Sequence, residues 1–164
     1  MPEPVSASAV VSLRERVLQA LVACVTPVAA AHGAIVLRSP TTAVSREQSP
    51  ALLVIPESES ITPRINDLVE RQLVVRLVAI ARETAVPDGL GGFTQIAPET
   101  IADGILVATH AAVFSDPGIA SLCLGLREME VEWEVEDADA VAAALPARYQ
   151  FTYRTLANDI SMQG

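Results

Sequence analysis

Apolar and polar positions divide the chain into segments of different period. Leu13, Val17, Leu21, Cys24, Val25 and Val28 recur at helical spacing, which makes one stripe of an amphipathic helix. Ser12 is a good N-cap ahead of that stripe, and Glu15 three residues on completes a capping-box pattern. The helix is expected to end near Ala31, with Gly33 as its left-handed stop. Residues 34–38 and 51–55 are short apolar runs that read as strands, the second bounded by Pro50 and Pro56. Residues 39–50 are polar and read as a loop, and residues 57–67 as a turn-like stretch. Across residues 68–83 one parity carries Val69, Leu73, Val75, Leu77 and Ala79. The other carries Val74, Val78 and Ile80 among Glu70, Gln72, Arg76 and Arg82. Apolar residues on both faces suit a central strand of a sheet covered on both sides.

The second half repeats the theme. Residues 84–95 contain Pro87, Asp88, Gly89, Gly91 and Gly92 and read as a long loop, a length that often goes with making contacts. Pro98 fits the first position of a helix, with Glu99 favourable in its first turn. Ile101, Ile105, Ala108, Thr109 and Ala112 are its expected apolar face, and Phe114 its approximate end. Residues 119–124 read as an apolar connection. From Arg127 to Glu136 the alternation is strict: Met129, Val131, Trp133 and Val135 on one side, Glu128, Glu130, Glu132, Glu134 and Glu136 on the other. Residues 137–146 read as an acidic, Ala-rich linker. Residues 147–155 alternate again, with Tyr149, Phe151 and Tyr153 on one face and Arg148, Gln150, Thr152 and Arg154 on the other. The order α-β-β-β-α-β-β predicts a single α+β domain, a mixed and mostly antiparallel β-sheet packed against two main helices. That domain is expected over residues 12–156, after an arm of residues 1–11 and before a C-terminal tail of residues 157–164.

Composition narrows the function. The 164 residues include 11 Arg and no Lys against 20 Asp and Glu, a net charge of −9. Such a chain has no basic footprint for nucleic-acid phosphates, and 51% apolar residues exclude a disordered chain. Residues 17–37 are uncharged and lie between arginines. Gln19, Thr26, Pro27, His32 and Gly33 interrupt any spanning segment, and Glu3 and Glu15 spoil the resemblance to a signal peptide. A packed helix of a soluble domain is the preferred reading, with no membrane partner. Cys24 and Cys123 make neither a disulfide scaffold nor a zinc cluster. His32 and His110 lack ligand spacing. Gly89-Leu90-Gly91-Gly92 lacks the Lys of a phosphate loop, and no Ser sits in a nucleophile elbow. No catalytic residue, metal or cofactor is therefore expected, and the chain does not read as an enzyme.

Seven of the 20 acids lie between Glu128 and Asp139. Carboxylates two apart on one strand face stand about 6.5–7 Å from each other and repel. Arg148 and Arg154 would share that face if the last two strands pair, a partial remedy. The remaining carboxylates face water, meet arginines of a neighbouring subunit, or line an acidic channel. A calcium site is the weaker option, because strand carboxylates rarely converge on one ion.

A capped helix, the strand PALLVIPESE with its acidic turn, the long strand RQLVVRLVAIARE, a Gly-rich loop, a helix, and an acidic strand leading through EDADAVAAALPARYQFTYRT form a recognisable order. In this the chain resembles the tail-terminator (tail-completion) proteins of long-tailed bacteriophages, over roughly residues 13–155. The resemblance implies a non-enzymatic structural virion protein that forms a homo-hexameric ring on the tail tube, stops its polymerisation and offers the surface that joins the head. Its implied partners are copies of itself, the major tail-tube protein and a head-completion or connector protein, with DNA passing through without specific binding. The implied location is the top of the tail, and the host cytoplasm during assembly. Under it, Glu128, Glu130, Glu132, Glu134, Glu136, Arg148 and Arg154 form the expected lumen or subunit-interface face. Arg46, Glu57, Glu59, Arg64, Asp88, Gly91 and Phe93 mark the expected contact loops. A neck protein of the same virion and a small-molecule-binding α+β domain remain open as alternatives.

Overall fold

A computed structural model describes residues 10–63, 66–131, 134–136 and 142–164. Helix α1 (Leu13–Ala31) begins where Ser12 Oγ accepts the Glu15 amide at 3.2 Å. It ends in a Schellman motif: Ala34 N donates to Ala29 O at 2.8 Å and Gly33 N to Ala30 O at 3.0 Å, with Gly33 at φ +68°. Glu15, expected to close a capping box, instead grips the Arg38 guanidinium through both oxygens, at 2.7 and 2.6 Å. The apolar window of residues 17–37 is thus most of α1, its turn and the first strand. Among the described residues no helix is long and apolar enough to cross a membrane.

The strands are β1 (Ile35–Arg38), β2 (Ala51–Pro63), β3 (Leu68–Arg82), β4 (Thr84–Pro87), β5 (Phe93–Ile96), β6 (Gly125–Val131), β7 (Glu134–Glu136) and β8 (Ala142–Leu156). The main sheet runs β1-β2-β3-β8, and β6 and β7 lie in turn along the far side of β8. Only the β1–β2 pair is parallel. Between β5 and β6 come α2 (Pro98–Ser115) and α3 (Pro117–Leu122). The fold is the expected single-domain α+β architecture with a mixed, mostly antiparallel sheet.

The core lies on one face of that sheet. Helical spacing along α1 delivers Val17, Leu21 and Val25 onto Leu52, Val54, Leu73, Val75, Leu77, Phe151 and Tyr153, together with Ile105 of α2 and Ile119 of α3. Among the described residues no helix covers the opposite face. A smaller cluster of Ala51, Leu53 and Val78 sits there beneath Val44 of the 39–50 loop. The two-faced pattern of β3 therefore reflects one full core and one local cluster.

Several expectations need correction. Residues 57–63 are not a turn: β2 runs on through Pro56, which stands beside a register shift between Pro56 and Ser58. A bulge tolerates a residue without an amide hydrogen. The turn follows at Asn66 and Asp67, with φ of +65° and +58°, in a conformation these two residue types tolerate. Residues 84–95 are not a simple loop but the β4–β5 hairpin. The 119–124 connection is mostly α3, which Asp116 caps by accepting the Ile119 amide at 2.8 Å. On α2 the buried residues are Pro98, Ala102, Ile105, Leu106, Thr109 and Val113, so only Ile105 and Thr109 of the expected face are buried. That helix is apolar nearly all round, and its packing against α1, β3 and β8 together selects the arc. Finally, β8 starts at Ala142, within the expected linker. Pro146 stands in register with Val78 of β3, between the described β6 and β7 pairings, which stop at Ala147 and Ala144.

Candidate functional site

Two exposed regions collect most of the residues singled out in the sequence. The first is the helix-free face of the sheet. Glu57, at the β2 bulge, reaches Arg76 Nε at 3.0 Å and Arg148 Nε at 2.9 Å. Arg76 and Arg148 stand directly opposite each other on β3 and β8, and like charges so placed repel. Glu57 bridges them, and Arg148 also hydrogen-bonds Glu130 of β6. The result is a Glu–Arg–Arg–Glu row across four strands, balanced in charge. Arg127 extends it by donating to Gln150 Oε1 at 3.0 and 2.5 Å. Arg154 lies 3.5 Å from Glu70.

The carboxylate stripe does not stay on one face. A register shift between Glu128 and Glu130 makes Met129 a bulge, so Glu128 faces Tyr149 on the helix side and Glu130 faces Arg148 on the open side. Glu128 lies 3.7 Å from His110 Nδ1, which is 3.3 Å from Tyr149 Oη. Burial, and then the Glu128 charge, push the Tyr149 hydroxyl well above the usual tyrosine range. Glu134 and Glu136 stand in register with Ala144 and Ala142. Glu132 lies outside the described residues.

Glu59, expected in a contact loop, belongs to the core side of β2. Arg71 Nη1 donates to it at 2.9 Å, Arg14 lies 3.6 Å away, and the Tyr153 hydroxyl hydrogen-bonds it. Arg71 also donates to Thr155 Oγ1 at 3.1 Å. The Glu59 and Arg71 side chains are only 11% and 13% exposed, so this network fastens β2 to β3 and β8 and offers little to a partner. Tyr153, pushed up chiefly by burial, stays protonated. Sequence spacing held one clue to the network: a hairpin turning at Asn66-Asp67 brings residues about twelve apart together.

The second region is the β4–β5 hairpin. Asp88 Oδ1 accepts the amides of Leu90 at 2.8 Å and Gly92 at 2.9 Å, and these bonds hold its carboxyl below the usual range. Gly91 stands at φ +91°, and a Cβ on Gly92 would meet Asp88 Oδ2 at 2.5 Å. Leu90 is 94% exposed and Phe93 71%. Arg46 occupies a short exposed helical turn in the 39–50 loop, and Arg64 lies outside the described residues.

No family model matches the chain, and no curated protein is significantly similar to it. The chemistry must be read from the geometry. Among the described residues no three His, Cys, Asp or Glu side chains gather to hold a metal ion. Burial raises both thiols to about 11, helped at Cys24 by Asp116, so neither is a ready nucleophile. What the surface presents is a neutralised ion-pair row on the open sheet face and a hairpin with exposed Leu90 and Phe93 at its end.

Proposed function

We propose that this protein is a structural virion component, a tail terminator that caps a phage tail tube as a ring, stops its polymerisation and provides the head-joining surface. The reading starts from the sequence resemblance. The observation that carries it furthest is the β4–β5 hairpin, whose exposed Leu90 and Phe93 form an apolar end with no cover in the single chain, as a part made to meet another chain would. A net charge of −9 supports a conduit along which DNA slides without being held. On this reading the Glu128–Glu136 segment divides between roles at the Met129 bulge, with Glu130 on the open face beside Arg148.

Sedimentation and negative-stain imaging of the purified chain, alone and with tail tubes, test the proposal. A six-fold ring at the tube end is expected, and a phage lacking the protein should make tails of uncontrolled length. Normal tails without it would remove the reading. The second reading, a small-molecule-binding domain, is favoured by a groove of about 510 Å³ on the open face. It predicts a monomer or dimer and a saturable ligand.

A further inference from the structure

That groove and the hairpin are complementary. The groove has a floor of Leu53, Ile55, Ile80 and Ala144 and a wall at Val44, and among its described lining residues only Arg82 is charged. Arg82 Nε is buried there without a hydrogen-bond partner among the described residues, an arrangement that calls for an acceptor. The hairpin is the inverse: between Glu83 and Glu99 its one charged residue is Asp88, flanked by exposed Leu90 and Phe93. Asp88 Oδ2 takes no part in the two turn bonds. An isolated two-stranded hairpin is only marginally stable in water, and this one has a ladder of four residue pairs and its turn.

The chain's own hairpin starts at Thr84, two residues past Arg82. The four residues of β4 carry the turn roughly 13 Å from Thr84, and Leu90 at its end is 94% exposed. We infer that the β4–β5 hairpin is an exchange arm, whose Leu90 and Phe93 enter the groove of a second copy of this chain and bring Asp88 to that copy's Arg82. A knob and a socket at different places on one molecule associate head to tail and close into a ring when the rotation allows. The inference deepens the ring proposal and rests on it for the number of copies, but not for the contact itself.

Two measurements on the full chain test it. Sedimentation should show the wild type as a multiple of 17.3 kDa, and Leu90→Ser with Phe93→Ser should weaken self-association by at least about tenfold, while Val107→Ser on exposed α2 surface leaves it unchanged. Both variants alter exposed side chains and should fold. In a Cys24→Ser, Cys123→Ser background, a Leu90→Cys chain mixed with a Thr42→Cys chain should give a two-chain disulfide product on oxidation. Anilinonaphthalene sulfonate, an apolar probe with one anionic group, should fluoresce with the arm variant and not with the wild-type assembly. Absence of the mixed disulfide together with an unchanged mass overturns the inference, as does equal probe binding by both proteins. A ring that survives the arm variant overturns the arm and keeps the terminator reading. A cross-linked pair that never forms rings keeps the arm and overturns the terminator reading.

Discussion

Glu15 illustrates how one side chain's assignment changes with tertiary context. Its position favoured a cap for α1, yet its carboxylate is bound by Arg38 at the end of β1. A local cap competes poorly with a bidentate, charge-assisted pair. The Arg38 hydrogen bonds hold Glu15 below its ordinary value of 4.5. A carboxyl depressed in the folded state contributes stability above its unfolded pKa, and that contribution is lost as pH falls through the folded value. Arg38→Gln should therefore lower stability at about pH 7 and cost less at about pH 3, with the loss below about 1 kcal/mol because the pair is partly exposed. Urea unfolding at the two pH values checks this, and an equal loss at both would assign the effect to packing of the Arg38 stem.

At the scale of elements, the open-face row makes a sharper test. Glu57 keeps Arg76 and Arg148 from facing each other unscreened. Glu57→Gln should cost about 1 kcal/mol. Adding Arg76→Gln should cost less than the sum of the two single changes, because it removes the repulsion that the first change exposes. Unfolding free energies of the three variants decide it, and simple additivity would mean that the row is held by solvent screening. The same elements show what a sequence can and cannot display. Tyr149, Phe151 and Tyr153 alternate with polar partners and are buried as that period requires, because β8 has one wet face. The length of β2 was hidden because Pro56 looks like an end, and only the pairing with β3 shows it beside a bulge. The break in the Glu stripe was hidden for a related reason. Period 2 does not announce a bulge, and Met129 sits where one more alternating residue was expected. The 84–96 hairpin was hidden because its strands are four residues each, too short to establish a period beside so much glycine. The groove around Arg82 joins residues from β2, β3, β8 and a loop, so no local pattern could reveal it.

At the scale of the whole molecule, residues 157–164 are part of the structure's fastening. Ile160 O accepts the Leu13 amide at 2.8 Å at the start of α1, and Gly164 N donates to Arg154 O at 3.2 Å. Ala157 N donates to Asp67 O at 2.7 Å, closing the segment onto the β2–β3 turn. Removing residues 157–164 should cost about 2 kcal/mol through the loss of these bonds and the opening of the α1 N-terminus. Thermal unfolding and amide exchange at Leu13 measure it, and an unchanged melting point would show the segment to be dispensable.

The Met129 bulge has one more consequence. A sheet ends in two margins whose free amides and carbonyls invite strands from other molecules. Here one margin is β1, four residues long and parallel to its neighbour, together with the part of β2 that runs on past it from Ile55 to Pro63, and the other is interrupted at Met129 in the middle of an acidic run. Each margin is broken by a shift of register, one beside Pro56 and one at Met129. A break on each side makes a poor template for indefinite sideways growth, and a fibre has less to start from than an unbroken margin would give it.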